Sequence, residues 1–252
     1  MQSSEDLGNT FGRAWQLLTQ NWLIIVPGIV IGIVAAIVVW LLTVYGFASA
    51  VGFSAVGMGG VGLMSGFLSA LIIGVILMIA TILVIAYTTG MAGAAWRTGT
   101  AGLEDGAAAF RTDGTQIFVA IVLLFLLGIV AVALSVPTLG LALLAFYLFF
   151  LYTLPAVIVG NRTASEALAE SARMTLNNFV QTIAIVILLA IAFMLAAWIA
   201  RFFGGIPLIG AIVRQIITQA VAAYATLVIV GEYIKLRSAA PTTPAAGSPP
   251  AV

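Results

Sequence analysis

The chain has 252 residues, 63% hydrophobic and 7% charged, with a net charge of +1 and a mean hydropathy of +1.24. A soluble domain carries about 25% charged residues, so this composition excludes a soluble fold, and the scattered basic residues exclude a nucleic-acid surface. There is no Cys and no His, which removes disulfides, thiolates and the commonest general base and metal ligand; no enzymatic activity, cofactor or metal is expected.

The first residues, MQSSEDLGNTFGR, lack the positive flank and adjacent apolar core of a cleavable signal peptide, so the first apolar segment is expected to be a retained span. Ser3, Ser4, Glu5 and Asp6 can cap a helix on which Leu7, Phe11, Trp15, Leu18 and Trp22 share a face.

A helix crossing roughly 30 Å of hydrocarbon needs about 20 apolar residues. Against that length the charge-free runs hold spans near 22–45 and 66–90, joined by the glycine-rich VGFSAVGMGGVG. A hairpin near 116–134 and 138–160 turns at SVPTLG, and a last pair near 178–201 and 208–232 turns at FFGGIP. Runs of this length without alternation fit helices rather than barrel strands. The fold class read here is all-α: a polytopic bundle of six transmembrane helices with two or three cytoplasmic interfacial amphipathic helices. Residues 1–237 form one membrane domain, and the Pro/Ala/Thr-rich 238–252 a disordered cytoplasmic tail.

Arg13, Arg97, Arg111, Arg162, Arg173, Lys235 and Arg237 fall on one side of these spans, against Arg201 and Arg214 on the other. The positive-inside rule then puts both termini in the cytoplasm, the membrane being a bacterial inner membrane. Pro27 and Pro155 lie inside spans, where they should kink them and free carbonyls near Leu23 and Leu151. Gly28 and Gly32 form a GxxxG suited to close helix contact.

Ahead of the fifth span, ASEALAESARMTLNNF places Leu168, Ala172, Leu176 and Phe179 on one helical face and Glu166, Glu170, Arg173 and Asn177 on the other. Thr163 and Glu166 fit a capping box, and Glu170 can pair with Arg173 across a turn. Superimposing Asn21-Trp22 on Asn178-Phe179 aligns Ala14 with Ser171, and LEDGAAAFRTDG is a shorter version that Asp113-Gly114 should break. An interfacial helix followed by a two-span hairpin is thus expected three times.

PAVIVGNRTASEA, Ala167-Leu168 with Ser171, Asn178-Phe179 and the terminal GEYIKLR make the chain resemble the six-span membrane domain of some bacterial glycerophosphodiester phosphodiesterases and related stand-alone membrane proteins. Tyr233 and Leu236-Arg237 match that domain's closing motif, and Lys235 departs from its acidic residue. The chain has no room for the soluble catalytic barrel, so the resemblance implies a membrane unit without that hydrolase activity.

On the last span, Arg214, Gln215, Thr218 and Gln219 form a polar stripe. One reading makes it a cavity lining that contacts a substrate or lipid, with Arg214 drawing an anion; the other has Arg214 snorkelling and the amides bonding a neighbouring helix. Glu232 with Lys235 reads as a surface pair. The expected function is membrane organisation, lipid interaction or the binding of another membrane or envelope protein, with Glu166, Leu168, Glu170, Ser171, Arg173, Asn178 and Phe179 on the interfacial helix. The alternative is a transporter or channel for a small or lipid-like anion that uses the stripe.

Overall fold

The computed structural model describes residues 4–203 and 209–239. The chain runs α1 (Ser4–Gln20), a 3-10 turn (Trp22–Ile25), α2 (Val26–Ala55), α3 (Gly59–Thr98), α4 (Leu103–Ser135), α5 (Leu141–Phe150), α6 (Thr153–Ile158), α7 (Ala164–Asn177), α8 (Phe179–Phe202) and α9 (Ile209–Ala239). There is no strand among the described residues. Six helical segments are long and apolar enough to cross a membrane, with α5 and α6 together making the fourth. The FFGGIP turn beyond Phe203, Ser3 and the tail from residue 240 lie outside the described residues; Ser238 and Ala239 extend α9 instead of opening the tail.

Each hairpin is preceded by a helical leg, and each leg ends the same way. Asn21 has φ −122 and ψ 53, Asp113 φ −122 and ψ 16 inside α4, and Asn178 φ −127 and ψ 41. Asn and Asp suit such a joint because their short polar side chains bond nearby backbone in place of the helix ladder. The Nδ2 groups of Asn21 and Asn178 do so, donating to the carbonyls of Leu17 at 3.0 Å and Met174 at 3.1 Å, four residues back. Asn21 also receives the Ala101 N–H on Oδ1 at 2.8 Å and donates to Gly99 O at 3.0 Å, which fixes the α3–α4 connection.

The legs pack cyclically, each against the second helix of the preceding hairpin. α1 lies on α9, the first part of α4 on α3, and α7 on α5 and α6. Two tyrosines make equivalent anchors: Tyr224 Oη donates to Phe11 O at 3.3 Å, and Tyr87 Oη to Leu103 O. Phe11 and Leu103 both stand ten residues before their joints at Asn21 and Asp113. Inside the legs, α3, α6 and α9 touch one another, and the buried core gathers there.

Two expectations are corrected. The glycine-rich segment after the first span is not a long connection: α2 and α3 run on to Ala55 and from Gly59, leaving a turn in which Gly57 takes φ +79. Continuous apolar sequence favours continued helix, and the tip is held by a Ser49–Ser65 hydroxyl hydrogen bond of 2.7 Å. Pro27 stands in the first turn of α2, where its missing N–H costs no helix bond. The fourth span breaks where Pro155 is expected to kink it, with α5 and α6 separated at Leu151 and Tyr152.

Candidate functional site

The leg α7 begins at a capping box, with the Thr163 N–H donating to Glu166 Oε2 at 3.2 Å. Its buried face is Ala164, Ala167, Ser171 and Thr175, not the Leu168, Ala172, Leu176 and Phe179 face read from the sequence. Small residues let the helix approach the broken span closely enough to bond its backbone. Ser171 Oγ donates to Phe149 O at 2.7 Å and accepts the Tyr152 N–H at 3.1 Å, while Thr175 Oγ1 donates to Leu148 O at 2.8 Å. Leu168 and Ala172 are half-buried at the flank, and Leu176 and Phe179 are exposed. Arg173 and Asn177 are exposed as well, and Asn178 is half-buried at its joint.

Glu170 turns away from Arg173. Its Oε2 accepts from Arg162 Nε at 2.8 Å and its Oε1 from Tyr233 Oη at 3.0 Å. Arg237 continues the chain, donating from Nη1 to Tyr233 Oη at 3.3 Å. The reason for this pairing is the route of Tyr233, which is buried and reaches across Gly160; a methyl group there would overlap its hydroxyl. Arg162, Glu170, Tyr233 and Arg237 thus tie α7 to the end of α9. Arg97, in the last turn of α3, donates from Nη2 to Val159 O at 2.7 Å.

Arg97 and Arg237 face a recess of about 370 Å³ at the basic end of the bundle. The sequence offered Arg97 only as a topology marker and Arg237 as one that also belongs to the closing motif, although each closes the second helix of a hairpin. Beside them, Arg13 lies over the Trp96 ring at 4.8 Å, and Trp96 donates to Leu227 O at 2.8 Å.

The polar stripe of α9 divides. Gln215 and Gln219 are half-buried, and Arg214 and Thr218 are exposed. The two amides lie against the glycines of the first span: methyl groups at Gly28 and Gly32 would overlap Gln219 Oε1 and Gln215 Nε2, and Gln215 Nε2 reaches Gly28 O at 3.4 Å. They also form one wall of an apolar cleft of about 730 Å³ between α2, α3 and α9.

Glu232 is buried, with 0% exposure, rather than on the surface. Thr10 Oγ1 donates to its Oε2 at 3.2 Å, Gln181 Nε2 donates to Oε1, and Lys235 Nζ lies 3.9 Å away. Periodicity alone missed this because the partners come from α1 and α8, far away in sequence. Comparison with protein-family models, curated proteins and solved structures gives no match. Functional inference therefore rests on the geometry of this chain.

Proposed function

We propose that the chain is a non-enzymatic, multi-pass protein of a bacterial cytoplasmic membrane, with both termini in the cytoplasm, that contacts lipid headgroups and serves in membrane organisation or in holding a second membrane or envelope protein. The observation that carries this reading is the ring of three legs around the basic end. Trp15 and Trp22 next to the first joint, and Leu176 and Phe179 next to the third, are exposed there. Apolar and aromatic groups at that level suit the headgroup boundary, where the indole has both an apolar body and a polar edge. The likeness to the six-span domain of glycerophosphodiester phosphodiesterases belongs to the same proposal, and its motif residues Glu170-adjacent Ser171 and Tyr233 are ones this bundle uses to join α7 to its neighbours.

Because the chain has no Cys, single-cysteine labelling tests the orientation directly. Ser238→Cys should react with an impermeant thiol reagent only after the cytoplasmic face is opened, and Thr138→Cys should react from outside; the reverse pattern overturns the topology. Quenching by lipids brominated near the headgroup should fall when Trp15 and Trp22 are both replaced by Phe. Equal quenching without them would sink the interfacial reading.

A transporter is the second reading, supported by the amide-walled cleft between α2, α3 and α9. It requires flux of a small or lipid-like anion in proteoliposomes that Arg214→Ala or Gln219→Leu abolishes in folded protein. Unchanged flux in both variants would exclude the stripe as its path.

A further inference from the structure

At the basic end, the C-terminal turns of α3 and α9 and the short α6 converge. The recess between them, lined by Arg97, Val159, Tyr233, Ile234, Arg237 and Ser238, has a volume of about 370 Å³, within the roughly 300–1,000 Å³ of small-molecule sites. A guanidinium carries five N–H donors. Arg97 uses one on Val159 O and Arg237 one on Tyr233 Oη, contacts that hold each group while leaving donors for a ligand. Among the described residues neither is in an ion pair. The carboxylate nearest them through Tyr233, Glu170, is matched by Arg162 at 2.8 Å.

The helix ends oppose an anion, but weakly. Each C terminus contributes about half a negative charge, so α3 and α9 together offset only about half of the two full charges of Arg97 and Arg237. The two guanidinium charges therefore outweigh the two helix ends that face them. Phosphate oxygens match the planar donor fork of arginine, and the recess lies at the end of the bundle where the legs sit, the end that the lipid-contact reading places at the headgroups.

We propose that the Arg97–Arg237 recess is a binding site for a phosphate-bearing anion, held by the two guanidinium groups with the Tyr233 hydroxyl at its wall. The inference rests on the lipid-contact reading and gives it a place. The same chemistry admits two sources, the phosphate of a membrane lipid or free phosphate.

The test uses the full chain, extracted in mild detergent and supplied with phosphatidic acid, phosphatidylglycerol or phosphatidylcholine of identical acyl chains, with retained lipid counted by native mass spectrometry. Wild type should retain the anionic lipids over phosphatidylcholine, and Arg97→Gln/Arg237→Gln should lower that preference by about tenfold. Arg201→Gln, in the last turn of α8 and outside both the legs and the recess, should leave it unchanged. Where the glutamine pair lowers thermal stability, Arg97→Lys/Arg237→Lys keeps charge while losing the fork, and should give an intermediate loss. Inorganic phosphate at millimolar concentration that raises the melting temperature of wild type but not of the glutamine pair identifies free phosphate as the ligand; lipid retention without that shift identifies the headgroup. Anionic-lipid preference equal in wild type and in the recess variants, with no phosphate shift, overturns the recess and leaves lipid contact standing. No preference and no shift removes both.

Discussion

Ser171 accepts the backbone N–H of Tyr152 at 3.1 Å while donating to the Phe149 carbonyl at 2.7 Å. One hydroxyl thus serves both sides of the break in the fourth span. Backbone groups at membrane depth need internal partners because lipid supplies none, and Pro155 has no N–H to bond the preceding turn. A leg outside the spans therefore stabilises a discontinuity within one. Ser171→Ala leaves a buried donor and acceptor without this partner and should lower unfolding free energy by about 2 kcal/mol. Thermal unfolding in detergent should show the loss, with Ser165→Ala, exposed on the same helix, near wild type; equal stability of the two variants would refute this role.

Gly28 and Gly32 meet the amides of Gln219 and Gln215 rather than another glycine-rich helix. Gly28→Ala should then cost about 1–3 kcal/mol by overpacking. The cost should shrink when Gln219→Ala is added, because the smaller side chain vacates the space the methyl needs. A double-mutant cycle in detergent measures this coupling; strictly additive effects would mean that the two positions do not touch.

Charge-free runs were enough to count the spans, since their length against the bilayer is a local property of the sequence. The joint at Asp113 and the capping box at Thr163 were legible for the same reason: both depend on neighbouring residues. The buried face of α7 was not, because hydrophobicity ranks Leu176 above Ser171 whereas packing against a broken helix needs a small polar group. Glu232 was misread as a surface residue for a parallel reason. Its environment is made by Thr10 and Gln181, and no local pattern announces contacts across that distance in sequence. The recess at Arg97 and Arg237 likewise appears only when the ends of α3, α6 and α9 are brought together.

Glu232 holds three elements at one point, since Thr10 lies on α1 and Gln181 on α8. Removing a buried charge acceptor leaves its donors and Lys235 to be desolvated without it, whereas an amide of similar shape keeps part of the bonding. Glu232→Ala should therefore lower stability by about 3 kcal/mol, and Glu232→Gln by less than about half as much. Chemical unfolding followed by tryptophan fluorescence separates the two. Equal losses would mean that the side chain acts through volume alone.

Glu166 supplies the pH-dependent part of the α7 leg. The Thr163 backbone N–H, then the Thr163 hydroxyl, hold its carboxyl below the ordinary glutamate value of 4.5, with the Arg162 charge adding a smaller push and burial a small opposing one. A carboxyl whose folded pKa is lowered stabilises the fold above the unfolded pKa, and that contribution fades as pH falls through the lower folded value. Wild type should thus exceed Glu166→Gln in stability at about pH 7, and the gap should narrow as pH falls from the ordinary value of 4.5 through the lower folded one. Paired thermal scans across that interval measure it. A gap that stays constant would show that the ionised carboxylate is not what holds the start of α7.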